Sequence, residues 1–169
     1  TRHQNIKDFR VAIWPNDPFC TVENAIADAI EELATQLGKL GASVHEDNPG
    51  VNLQMNDDIY WNMSTPIIAS GFPKSTLDKM ETLLQESDPN DTNPRVRQAR
   101  GALLKQQSWL SYNERRLRIQ AMWEEFFTSF DVLICPVTFS TAFAHNHEPD
   151  LFNRNITVDG IKRHYSEIT

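Results

Sequence analysis

The feature that most constrains the fold is a strand, a helix and a second strand within residues 1–47. Residues 9–14 form a short apolar run closed by a proline-rich turn, which is typical of a buried strand. Thr21 is a suitable cap for a helix that has Glu23 in its first turn and apolar residues at three- and four-residue spacing. Gly41 ends that helix. Residues 42–46 then alternate as a second strand. Two strands joined by a helix are expected to pair in parallel, with a right-handed crossover.

Residues 48–94 predict a helical region with weaker boundaries. Apolar spacing favours one helix over residues 51–68 and another over residues 75–85. Pro66 should kink or end the first of them, because proline lacks the N–H that continues the hydrogen-bond ladder. Residues 87–94 are rich in Asp, Asn and Pro and predict a loop.

The remaining sequence predicts a long helix and a third strand. A helical apolar face runs over about residues 95–130, with Gly101 as its one interior glycine. Residues 131–136 are typical of a buried parallel strand, and the polar tail at 141–169 predicts a loop, because it has no clear period. We therefore predict an α/β fold, a small, mainly parallel sheet built on the β-α-β unit and flanked by helices. The length of 169 residues suits a single domain over residues 1–169.

Composition excludes several classes of partner. The chain has 16 basic and 23 acidic residues and a net charge of -7, which argues against nucleic acid and against anionic membranes. No apolar run approaches the length of a membrane-spanning helix. Cys20 and Cys135 are far apart in sequence and indicate neither a disulfide framework nor a zinc site. We expect a soluble, cytoplasmic protein.

The sequence lacks the usual motifs of an independent hydrolase. The six glycines never flank a serine in the arrangement that builds a nucleophile and its oxyanion donors. His145 and His147 alternate beside Glu148 and could share a metal ion, but they lack further ligands at recognisable spacing, so solvated loop histidines are the favoured interpretation. We expect neither catalytic residues, nor a metal, nor a cofactor within this chain.

Several segments, in the same order and spacing, resemble the amidase signature family. They are Asp-Phe-Arg-Val-Ala-Ile-Trp at 8–14, Leu-Gly-Ala-Ser-Val-His-Glu at 40–46, Tyr-Asn-Glu-Arg-Arg at 112–116, Trp-Glu-Glu-Phe-Phe at 123–127, Phe-Asp-Val-Leu-Ile-Cys-Pro-Val-Thr at 130–138 and Thr-Val-Asp-Gly at 157–160. The first two are similar to the family's segment after its catalytic serine, and the next three to the helix and late core strand that follow. Residues 48–94 correspond to the family's variable region.

The resemblance implies that a longer parent hydrolyses small carboxamide substrates through a serine, a cis-serine and a lysine, without a cofactor. None of those three residues is found in a matching context here, so we expect the chain to be an inactive fragment of that parent. It would supply scaffold and part of the substrate-pocket wall. By position in the motif, the expected lining residues are Pro136, Thr138, Ala142 and Phe143, although these residues could equally do no more than shape the end of the strand.

Two alternatives remain open from the sequence. A small parallel sheet with flanking helices hosts many functions, so the chain could instead be a stand-alone, non-catalytic α/β binding module. If the chain exists as a separate fragment, apolar faces that pack on the missing core would be exposed and would favour self-association into a homo-oligomer.

Overall fold

The computed structural model describes residues 3–165, which divide into two compact units. The first, called the sheet unit below, holds the described residues up to Val51 and from Met122 onward. The second, called the helical unit, spans Asn52–Ala121. The expected α/β architecture is confirmed, whereas a single domain over residues 1–169 stays a prediction. None of the helices in the described range is both long enough and apolar enough to cross a membrane.

The sheet unit contains a three-stranded parallel sheet in the order β2-β1-β3. Its strands are β1 (Arg10–Ile13), β2 (Ser43–Glu46) and β3 (Val132–Ile134). The central β1 alternates its side chains between two cores, as the two-residue period of a strand requires. Val11 and Ile13 pack with α1 (Asn24–Lys39), while Ala12 lies against Phe126 and Phe130 on the opposite face.

The parallel pairing of β1 with β2 and the helix between them are confirmed, except at the start of that helix. Helix α1 begins at Asn24, with Glu23 at its cap position, so the expected cap at Thr21 is wrong. Gly41 ends the segment in the left-handed region, with a φ of 94°, a conformation that glycine adopts without steric strain.

A bidentate ion pair fastens β3 to β1 at the amino edge of the sheet. The Arg10 guanidinium donates to both carboxylate oxygens of Asp131, at 2.9 and 3.1 Å, and the Arg10 backbone N–H donates to the same carboxylate at 3.0 Å. These hydrogen bonds from Arg10 hold the pKa of Asp131 well below its usual range. The pair fixes the register at which β3 enters the sheet.

The helical unit contains α2 (Leu53–Ala69), α3 (Lys74–Glu86), α4 (Pro94–Ala102) and the first part of α5 (Gln106–Ser129). Helix α2 continues through Pro66 and ends at Ala69. The predicted helix over residues 95–130 is in fact two helices, so the long helix begins only at Gln106. The break follows the packing of α4 against α2 and α3, a tertiary effect that the apolar period does not contain.

Gly101 permits the close approach of α4 to α2. A Cβ atom at this position would lie 2.8 Å from the Thr65 Cβ, closer than two such atoms can pack. Part of the tail was also mispredicted as loop, because β4 (Asn155–Val158) and β5 (Ile161–His164) form an antiparallel hairpin in the sheet unit. Residues 166–169 of that predicted loop lie outside the described residues.

Candidate functional site

The chain after β3 lies at the carboxyl edge of the parallel sheet. The Trp14 backbone N–H donates to the Ile134 carbonyl at 2.9 Å, so β1 and β3 stay paired up to the last residue of β3. In open α/β sheets, ligands bind in crevices outside the carboxyl ends of the strands. Residues 135–143, called the post-β3 loop below, therefore stand where a site is expected.

Phe139 anchors this loop in a small apolar core. Its side chain is only 2% exposed and packs with Val22, Ile156 and Val158. The guanidinium carbon of Arg163 lies 3.8 Å from the centre of the ring, within the distance of a cation–π interaction. The hairpin formed by β4 and β5 thus covers the loop from one side.

Glu23 ties the same loop to the amino end of α1. Its backbone N–H donates to the Phe139 carbonyl at 2.8 Å, and its carboxylate accepts the Thr141 backbone N–H at 2.6 Å. Hydrogen bonds from Thr141 lower the pKa of Glu23, and the bond from the Thr141 backbone has the larger effect. A second carboxylate, that of Asp159, accepts the Asn24 N–H at 2.9 Å, and negative charge is favourable at a helix amino end.

Two hydroxyls on either side of Phe139 are buried. Within residues 3–165, the Thr138 Oγ1 and Ser140 Oγ atoms have no hydrogen-bond partner. A buried hydroxyl without a partner costs about 1–3 kcal/mol, and most are paired in folded proteins. The loop therefore holds two buried hydroxyl groups whose hydrogen-bonding capacity is not used within residues 3–165.

The four predicted lining residues all belong to the post-β3 loop. Pro136 and Thr138 are half-buried, whereas Ala142 is exposed and Phe143 is 42% exposed. The rings of Phe143 and Tyr165 are nearly perpendicular, with ring centres 5.7 Å apart. Their contact with a substrate stays a prediction.

Sequence reasoning missed the residues that hold this loop in place. Glu23 was assigned only to the first turn of α1, and its partner Thr141 is 118 positions away, so no local pattern links them. Phe139, Ser140 and Arg163 were likewise not singled out. The Asp159–Gly160 pair, a strong signal for a two-residue hairpin turn, would have located β4 and β5 and thereby the cover over Phe139.

The lysines, and the histidines at 145 and 147, are exposed to solvent. All six lysines are solvent-exposed, whereas a lysine acts as a base when burial lowers its pKa. Across the described range, no three His, Cys, Asp or Glu side chains form a group that could hold a metal ion. His145 and His147 stack on each other, with ring centres 6.0 Å apart, in an exposed segment.

Comparison with known proteins identifies the family of this chain. No curated protein matches the chain. The model of the family described as amidase matches residues 1–164, which is nearly the whole sequence. That match covers the β-α-β unit, the helical unit and the post-β3 loop together. The chain therefore belongs to the amidase family.

Proposed function

We propose that this chain is a scaffold and pocket-wall segment of an amidase that hydrolyses small carboxamides. Membership of the amidase family supports the reaction class. The observation that carries the wall assignment is the anchored post-β3 loop. Phe139 and Glu23 hold its centre, while Phe143 projects 42% exposed from its far end.

The post-β3 loop is better suited to binding a substrate than to catalysing its hydrolysis. A pocket wall needs fixed backbone, apolar surface and a few directed polar groups. Phe143 offers the apolar surface, and Thr138 and Ser140 carry buried hydroxyls that have no hydrogen-bond partner within residues 3–165. A hydrolase also needs an activated nucleophile with oxyanion donors, and the chain has no serine in a glycine-rich turn. We therefore assign the serine nucleophile and the lysine base of the parent enzyme to sequence outside residues 1–169.

The test is amide hydrolysis over a panel of aliphatic and aromatic amides, with this chain and a longer product of the same gene assayed side by side. We expect activity in the longer protein alone, abolished when its glycine-flanked serine is replaced by alanine. Turnover by residues 1–169 alone would show that a nucleophile lies within this chain. Inactivity of both proteins would instead favour a non-catalytic binding module.

A further inference from the structure

A groove in the helical unit is suited to a small molecule. It has a volume of about 340 Å³ and lies between α2 and the first turns of α5. That volume falls within the range of about 300–1,000 Å³ typical of small-molecule sites. All of its lining residues belong to the helical unit, so the groove is a property of that unit alone.

The floor of the groove is a single apolar face. Ile59, Met63 and Ile67 follow one another at four-residue spacing, so they lie along one side of α2. Trp109 closes the groove from α5, and its indole N–H donates to the Met63 carbonyl at 3.2 Å, which fixes the ring. Exposure rises along the groove from 3% at Ile59 to 65% at Ile67, so one end is enclosed and the other is open.

One charged group lies beside this apolar surface. Among the described residues that line the groove, Arg116 alone carries a charge. Its Nε and one terminal nitrogen donate to the Asn113 side-chain oxygen, each at 3.1 Å, which orients the guanidinium. Guanidinium has five N–H donors in a planar fork that matches a carboxylate in a bidentate arrangement.

We propose that this groove binds a small amphiphile with one apolar tail and an anionic head, such as a medium-chain carboxylate. The tail lies along the Ile59–Ile67 face against Trp109, and the carboxylate pairs with Arg116. Charge complementarity selects an anionic head over a neutral or cationic one, because no acidic side chain is among the described lining residues. None of the residues that line this groove belongs to the post-β3 loop, and the test of the groove does not depend on amidase activity.

The first experiment is calorimetric titration of the protein with butanoate, hexanoate and octanoate. Each buried methylene should lower Kd by about fourfold, so affinity should rise steadily with chain length. Octanol and octylamine, which share the octyl tail but lack the anion, should bind at least about tenfold more weakly than octanoate. Equal affinity for octanoate and octanol would overturn the proposal, as would the absence of binding heat at millimolar octanoate.

Two pairs of substitutions locate the site. Arg116→Gln should weaken octanoate about tenfold and abolish its advantage over octanol. Arg118→Gln, an exposed arginine of the same helix outside the groove, is its matched control and should change nothing.

The second pair tests the apolar face. Ile67→Asn should flatten the dependence on chain length, whereas Ile68→Asn should leave it intact, since Ile68 is 61% exposed and does not line the groove. All four substituted residues are exposed, so the variants are expected to fold. Equal effects within either pair would place carboxylate binding elsewhere.

Discussion

Two Gly→Ala substitutions should change stability in opposite directions. Gly38 and Gly101 are each the penultimate residue of a helix, α1 and α4 respectively. A Cβ at Gly38 would have no atom within 4 Å, whereas one at Gly101 would lie 2.8 Å from the Thr65 Cβ. The added methyl group therefore lies in open solvent at Gly38 and against a packed side chain at Gly101.

The magnitudes follow from two opposing effects. Alanine within a helix is favoured over glycine by about 1 kcal/mol, so Gly38→Ala should stabilise the protein by roughly 0.4–1 kcal/mol. At Gly101 the same gain is outweighed by overpacking, which costs about 1–3 kcal/mol. We expect Gly101→Ala to destabilise by about 1 kcal/mol, which leaves the two variants about 2 kcal/mol apart.

Urea and thermal denaturation, followed by circular dichroism, measure this difference. If the chain unfolds in one transition, 2 kcal/mol corresponds to about 4–8 °C in Tm for a protein of this size. A double-mutant cycle isolates the contact, because Thr65→Gly removes all three atoms that the new methyl would meet. Gly101→Ala should then become neutral or stabilising. Stabilisation by Gly101→Ala in the wild-type background, or the same cost in both backgrounds, would refute the reasoning.

Three further predictions concern the core, the loop clamp and the helical unit. Phe139→Ala should lower the free energy of unfolding by about 3–5 kcal/mol, because its ring is buried in an apolar core; a loss under about 1 kcal/mol in urea denaturation would contradict the anchor. The folded state lowers the pKa of Glu23 below its ordinary value of 4.5, so the ionised carboxylate stabilises the protein above that value. This stabilisation is lost as the pH falls through the folded-state pKa. Glu23→Gln should therefore destabilise the protein more at about pH 7 than at about pH 3. A difference in urea midpoint that does not vary with pH would exclude this role. Trp109→Phe should cost about 0.5–1.5 kcal/mol through loss of the hydrogen bond to the Met63 carbonyl, and an unchanged urea midpoint would show that the bond contributes nothing.

Local patterns predicted the sheet because each element there has its own signature. A local pattern of a few residues predicts each of three elements, and all three form. They are the strand in the apolar run up to residue 14, the amphipathic helix and the alternating second strand. The break between α4 and α5 has no such signature. Residues 103–105 contain no proline or glycine, and the chain turns there because α4 packs on α2 and α3. Periodicity alone could not separate the two helices.

The pocket-lining role of the four residues after the third strand stays a prediction, and sequence reasoning did not find the interactions that hold this loop. Resemblance to the family assigned Pro136, Thr138, Ala142 and Phe143 to the end of the third strand, and the structure places all of them on the post-β3 loop. The contact between Glu23 and Thr141 joins residues 118 positions apart, and sequence spacing carries no information about such pairs. The supporting interactions are therefore visible only once the sheet is assembled.

The most direct test of the account is substrate specificity in the longer amidase of which we propose this chain to be a segment. Phe143→Ala should change the ratio of kcat/KM between bulky and small acyl amides by about 10-fold or more, the usual size of a lost apolar pocket contact. Val137→Ala, which alters a fully exposed side chain of the same loop, is the matched control and should leave the ratio unchanged. A specificity shift confined to Phe143→Ala would support the pocket-wall assignment. Equal ratios in wild type and both variants would contradict it.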